Sequence, residues 1–144
     1  MTTILLVEDN PMDVDLTLQA FDAEGLANAI VVCPDGEDAL TYMVQHAEES
    51  DPSLPRLVLL DLCLPNVDGL EVLTAMRAHP TWRKMPIVVL TTSSEPRDID
   101  RAYASGANSY IVKPVDFDAF ADIVSALNLY WCQVNQSPFP AEDA

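Results

Sequence analysis

Residues 57–73 read LVLLDLCLPNVDGLEVL. The four apolar residues Leu57–Leu60 run without a polar break, as a strand does when both of its faces are covered in a parallel sheet. The run stops on Asp61, a carboxylate set directly beyond a buried strand. Seven residues on, Asp68 stands as a helix cap with Glu71 three positions later, a carboxylate variant of the capping box. The segment predicts strand, loop and helix, with Asp61 at the strand's carboxyl end.

The same alternation repeats on both sides. Short apolar runs at Thr3–Val7, Ala29–Cys33, Ile87–Leu90 and Asn108–Val112 predict four more strands. Between and after them lie helical segments with readable ends. Asn10-Pro11 opens the first, which stops at Gly25; Asp35-Gly36 opens the second; Ser94 opens the fourth, which Gly106 ends; Asp116 opens the fifth. The fifth places Phe117, Phe120, Ile123, Val124, Leu127 and Trp131 on one helix face. Five strands alternating with five helices give an α/β fold, (βα)5, read as a doubly wound five-stranded parallel sheet of order 2-1-3-4-5. Residues 48–55 read as a surface loop. Residues 1–134 form one domain, and the Pro-, Ser- and acid-rich residues 135–144 a loosely ordered tail.

Composition narrows the function. Of 144 residues, 23 are Asp or Glu and 7 are Lys or Arg, a formal net charge of -16. Such a surface repels phosphate backbones and anionic headgroups, so neither a nucleic acid nor a membrane is the expected partner. The 4 glycines do not cluster, which excludes Gly-rich phosphate cradles. No apolar run spans a bilayer and no signal peptide is evident. The three separated cysteines, Cys33, Cys63 and Cys132, fit buried free thiols in a reducing cytoplasm.

In a doubly wound sheet the site lies outside the carboxyl ends of the strands. Glu8 and Asp9 follow strand 1, Asp61 follows strand 3, Thr91, Thr92 and Ser93 follow strand 4, and Lys113-Pro114 follows strand 5. Crowded carboxylates need a compensating cation, and Mg²⁺ suits oxygen ligands that include one or two carboxylates and a phosphate oxygen. Lys113, one of two lysines in the chain, supplies a point charge, and Thr91 a donor, for oxygens off the metal. Each residue alone also fits a blander role: solvated acids at 8 and 9, a loop-capping Asp at 61, an ordinary strand-end Thr at 91. Together they describe a phosphoryl-transfer centre in which a carboxylate can be the nucleophile.

The stretches ILLVEDNPMD (4–13), LVLLDLCLPNVDGLEVL (57–73), PIVVLTTSS (86–94) and GANSYIVKPVD (106–116) resemble the receiver domain of two-component response regulators, which has the CheY-like, flavodoxin-like fold. The resemblance covers roughly residues 3–128. It implies that Asp61 is the phosphoacceptor for a partner histidine kinase. Glu8, Asp9, Asp61 and the main-chain carbonyl of Cys63 would form a Mg²⁺ site, with Mn²⁺ as an alternative ion. Thr91, Thr92 and Lys113 would bind the phosphoryl group, with Pro114 following a cis peptide bond that aims the lysine. Tyr110 would be the aromatic switch that couples Thr91 to the face of helix 4, strand 5 and helix 5. Such a protein turns over no external substrate and promotes only its own phosphorylation and dephosphorylation.

The opening VEDNPMDVDL and the sequence Leu129-Tyr130-Trp131 look like single-domain regulators that partner phytochrome-type kinases. The expectation is a stand-alone regulator whose output is a protein contact or onward transfer to a downstream phosphotransfer protein. Tyr130 and Trp131 are candidates for a homodimer surface. Two rivals fit less well. A haloacid-dehalogenase-type phosphatase needs a second Asp where Cys63 stands, and a flavodoxin-like electron carrier needs a hydroxyl-rich loop where VEDN stands. An adaptor that ignores phosphate leaves the polar strand ends unexplained.

Overall fold

The structure, a computed structural model, describes residues 3–26 and 29–139. The elements alternate as β1 (Ile4–Val7), α1 (Pro11–Ala23), β2 (Ile30–Cys33), α2 (Gly36–Gln45), β3 (Leu57–Leu60), α3 (Gly69–Ala78), β4 (Ile87–Thr91), α4 (Pro96–Ala104), β5 (Ser109–Val112) and α5 (Phe117–Leu127). The strands form one parallel sheet of order β2-β1-β3-β4-β5, as the sequence predicts. The register pairs Val7 with Leu60, Leu60 with Val89 and Thr91 with Val112, so the carboxyl ends lie side by side.

Strand alternation sorts the core into two faces. Leu5, Val7, Val58, Leu60 and Ile87 pack with Ala39 and Met43 of α2 and Val72, Leu73 and Met76 of α3. Val89 packs with Ala102 on α4. Ile4, Leu6, Leu57, Leu59, Val88 and Leu90 meet Ala20 and Phe21 of α1 and Phe120, Val124 and Leu127 of α5.

The helix starts follow side-chain caps at four of five positions. Asn10 Oδ1 accepts from the Met12 amide at 2.9 Å, Asp35 from Asp38 at 2.7 Å and Asp68 from Glu71 at 2.9 Å, while Asp116 accepts from Asp118 and Ala119. The fourth differs from expectation. Ser94 does not open α4; the helix starts at Pro96 and its cap residue Glu95 makes no side-chain cap bond. Proline at the first helical position has its φ already set and pushes the residue before it into extended backbone, which moves the start one residue along.

Arg77, at the end of α3, fastens the far side of that face. Its guanidinium donates to the carbonyls of Gly106 at 2.8 Å and Met85 at 2.7 Å and to Asn108 Oδ1 at 2.8 Å. The turn after α4 is thereby tied to α3. Gly106 adopts φ 107°, a left-handed conformation that ends the helix.

After α5 the helix continues as a π-helical stretch, Asn128–Val134. Trp131 is half-buried against the α1–α5 face of the core and meets Tyr130 edge to face. Tyr130, Leu129 and Val134 are exposed. Of the stretch from 135 onward, the described residues run to Phe139, whose ring is buried with Leu54 and Trp82 on the opposite face of the sheet, with Lys84 Nζ 5.7 Å from its centroid. No helix among the described residues is long and apolar enough to cross a membrane.

One glycine controls how closely α3 approaches the site. A Cβ at Gly69 would lie 2.3 Å from the Asp61 carbonyl oxygen and 2.6 Å from Leu62 Cα, both backbone atoms. Gly69→Ala is expected to lower the free energy of unfolding by about 1–3 kcal/mol, through displacement of the Asp61–Leu62 backbone. Urea denaturation measures it, and an unchanged midpoint would show that the backbone yields freely.

Candidate functional site

Alternation along the strands also decides which polar residues meet. Glu8 continues the Ile4–Leu6 series, Asp61 the Leu57–Leu59 series and Lys113 follows Ile111, so all three project on the α1–α5 side of the sheet. Backbone pairing extends just far enough to hold them: the Glu8 amide donates to the Cys33 carbonyl at 3.1 Å, Asp61 to Val7 at 3.0 Å and Lys113 to Thr91 at 2.7 Å.

Their side chains converge. Lys113 Nζ, almost buried, makes a short ion pair with Glu8 Oε1, and reaches Asp13 Oδ2 at 3.0 Å and Asp61 Oδ2 at 3.4 Å. The other Asp61 oxygen accepts from the Cys63 amide at 3.1 Å, and Glu8 Oε2 accepts from the Asn10 amide at 3.2 Å. Glu8, Asp9 and Asp61 each place one oxygen within 4.8 Å of the others. Glu8 and Asp61 are buried and Asp9 is exposed.

The electrostatics are those of a site with too much negative charge. Burial pushes the Glu8 carboxyl up to about 7; Lys113 works against this and Asp61 adds to it. For Lys113, burial alone would lower the ammonium, but Glu8, Asp61 and Asp13 outweigh it and the net direction is up. Burial, then the charge of Asp61, pushes the Cys63 thiol up, so this exposed cysteine is not an activated nucleophile.

At the end of β4, the strand beside β3, Thr91 is fully buried, and its Oγ1 has no hydrogen-bond partner among the described residues. A buried hydroxyl left unpaired costs free energy unless a ligand completes it. Thr92 is exposed. Tyr110, half-buried, donates its hydroxyl to the Ser93 carbonyl at 2.9 Å, which ties β5 to the β4–α4 loop.

Two expectations change here. No peptide bond among the described residues is cis, so the bond before Pro114 is trans. The tertiary amide of an X–Pro bond separates the two isomers by only about 0.5–1 kcal/mol, and Lys113 reaches its three partners with the trans form. Asp13 was not assigned a role from sequence, yet it binds the site lysine. Its position in the first turn of α1 gave a sufficient reason for an acid there, the helix dipole, and so hid the second one. The signal that could have found it is the Asn10-Pro11 helix start, which puts Asp13 in the first turn, close after the end of β1.

Residues 4–125 match the response regulator receiver domain family. The chain belongs to that family. The receiver is 45% identical over 138 residues to the probable methanogenesis regulatory protein FilR2 of Methanothrix harundinacea, covering 96% of this chain and 88% of that protein. Among solved structures it resembles the phosphorylated cyanobacterial phytochrome response regulator RcpA, with a TM-score of 0.86 and 36% identity over 95% of this chain and 98% of that one. It also resembles the Mn²⁺-bound form of Rcp1, a response regulator of Synechocystis, with a TM-score of 0.81 and 30% identity over 96% and 99% of the two chains. The receiver is thus a response regulator of the two-component type, and its acidic cluster suits a divalent metal ion.

The Glu8 carboxyl gives a pH test in metal-free protein. A carboxyl raised in the fold from 4.5 to about 7 favours folding below the lower value, and that advantage is lost as pH rises through the upper one. Wild type should therefore lose stability relative to Glu8→Gln across this window, by about 3 kcal/mol at most. Chemical denaturation in a chelator at several pH values measures the difference, and a difference independent of pH would contradict the assignment.

Proposed function

We propose that this receiver accepts a phosphoryl group on Asp61 from a phosphohistidine of a cytoplasmic histidine kinase. The observation that carries the reading is Asp61 itself: one oxygen held by the Cys63 amide, the other facing Lys113, and the unpartnered Thr91 hydroxyl at the end of the neighbouring strand. An Asp61 oxygen attacks phosphorus, the O–P bond forms as the N–P bond breaks, and the imidazole nitrogen keeps the electron pair and takes a proton from water. Lys113 and Thr91, with Thr92 beside it, bind the new phosphoryl oxygens.

Glu8, Asp9, Asp61 and the main-chain carbonyl of Cys63 would hold Mg²⁺, with Mn²⁺ as the alternative. Bound there, the ion neutralises phosphoryl charge and lets an anion approach three carboxylates. The donor set supports this: all oxygen, two acids buried, and too few cations in the protein itself to balance them.

Thr91 would move toward the phosphoryl group, and Tyr110 would release the Ser93 carbonyl and turn into the vacated space. This changes the face of α4, β5 and α5, a two-state element biased by a new dianion. The likeness to RcpA and Rcp1 supports a phytochrome-type kinase as donor. A downstream phosphotransfer protein, or a second copy of the chain on the α4–β5–α5 face, would read the result.

Incubation with a small acyl phosphate and Mg²⁺ should add one phosphoryl group to wild type and none to Asp61→Asn, read by intact mass. An adduct that persists in the variant would move the acceptor elsewhere. For the dimer, Leu129 and Tyr130 are 57% and 50% exposed, so Leu129→Asp with Tyr130→Ser should weaken self-association in sedimentation at least tenfold with an unchanged unfolding midpoint. Unchanged association would place any dimer contact elsewhere.

A further inference from the structure

An ammonium has three N–H donors, and in this structure Lys113 faces three carboxylates: Glu8, Asp13 at 3.0 Å and Asp61 at 3.4 Å. The lysine is saturated. A phosphoryl group on Asp61 would take over that residue's own contact, and the lysine can meet a further phosphoryl oxygen only by giving up Glu8 or Asp13. Glu8 is 2% exposed in its side chain, Asp61 9% and Asp13 27%. The Asp13 carboxylate is the one that water can solvate again most readily, so it is the partner most easily released.

Asp13 is also well fixed. The Asn10 side chain accepts from its amide, its carbonyl accepts from the Thr17 hydroxyl at 2.7 Å, and it sits in the first turn of α1. It lines a cleft between α1 and the β5–α5 loop together with Leu16, Thr17, Lys113, Phe117 and Phe120.

We propose that Asp13 is a positioning residue that holds Lys113 on the α1 side of the site and releases it when Asp61 is phosphorylated. The proposal rests on Asp61 being the phosphoacceptor. Lys113 is drawn to the dianion, and Asp13 is left as an unpaired carboxylate in the α1 cleft. The phosphorylation state is thus written on a second surface, separate from the Tyr110 face. Asp13 opposes phosphorylation slightly in the resting protein, because the lysine must leave it first.

The test uses beryllofluoride with saturating Mg²⁺ as the phosphoryl mimic, followed through backbone amide signals by NMR. Asp13→Asn should bind it about fivefold more tightly than wild type, the scale of one partly exposed ion pair. Asp13→Glu should restore wild-type affinity. Asp15→Asn, which removes the same charge from an exposed site on α1, should leave affinity unchanged. In wild type the amide signals of residues 13–17 should shift on binding; in Asp13→Asn they should stay still while those of Thr91 and Tyr110 move. Mere damage to α1 would weaken binding, the opposite sign. Equal or weaker binding by Asp13→Asn than by Asp15→Asn overturns the proposal. A wild type that neither binds the mimic nor takes a phosphoryl group from an acyl phosphate overturns the phosphoacceptor reading itself.

Discussion

Four carboxylates and one ammonium share the carboxyl end of this sheet, and the imbalance between them organises the rest. Lys113 alone cannot neutralise Glu8, Asp9, Asp13 and Asp61. Glu8 answers by holding its proton far above the usual carboxylate range, and the remaining charge attracts a cation. An electron-carrier or adaptor function would gain nothing from such a costly arrangement.

What holds the charges together is the sheet. Parallel strands in register end side by side, and the two-residue period decides which side each end residue takes. Glu8, Asp61 and Lys113 fall to the α1–α5 side, where Asp13 awaits them. Thr91 ends β4 in the opposite phase, with Val89 toward α4, so its hydroxyl is not drawn into the ion-pair cluster and stays free. The buried hydroxyl and the charged cluster are kept apart by one residue of phase.

The strand ends, though not their phase, were legible in the sequence, because short apolar runs that break on acids, threonines or a lysine mark where each strand stops. The caps at Asn10, Asp35, Asp68 and Asp116 were legible for the same reason: a short side chain stood where an orphan amide needed one. Four features were not. Ser94 offered a cap hydroxyl, but Pro96 set the start of α4 one residue later. Asp13 carried two plausible reasons and displayed only the local one. The isomer before Pro114 depends on a difference too small for local sequence to decide. Phe139 sits among Pro and Ser, a composition of loose chain, and its burial depends on a surface built from residues more than fifty positions away.

The two ends of α4 are held very differently. Its first residue follows a cap that makes no side-chain bond, and Ala102 is its one buried residue. Its last turn runs into Gly106, whose carbonyl is clamped by the Arg77 guanidinium. A charged hydrogen bond is roughly twice as strong as a neutral one. The first turn is fastened too, by the Ser93 hydroxyl, which donates to Asp98 Oδ2 at 2.5 Å, so one end of α4 is held by the β4–α4 loop and the other by α3. A partner touching α4 therefore meets a helix whose start is set by the loop that Tyr110 holds and whose end is set by a guanidinium on α3.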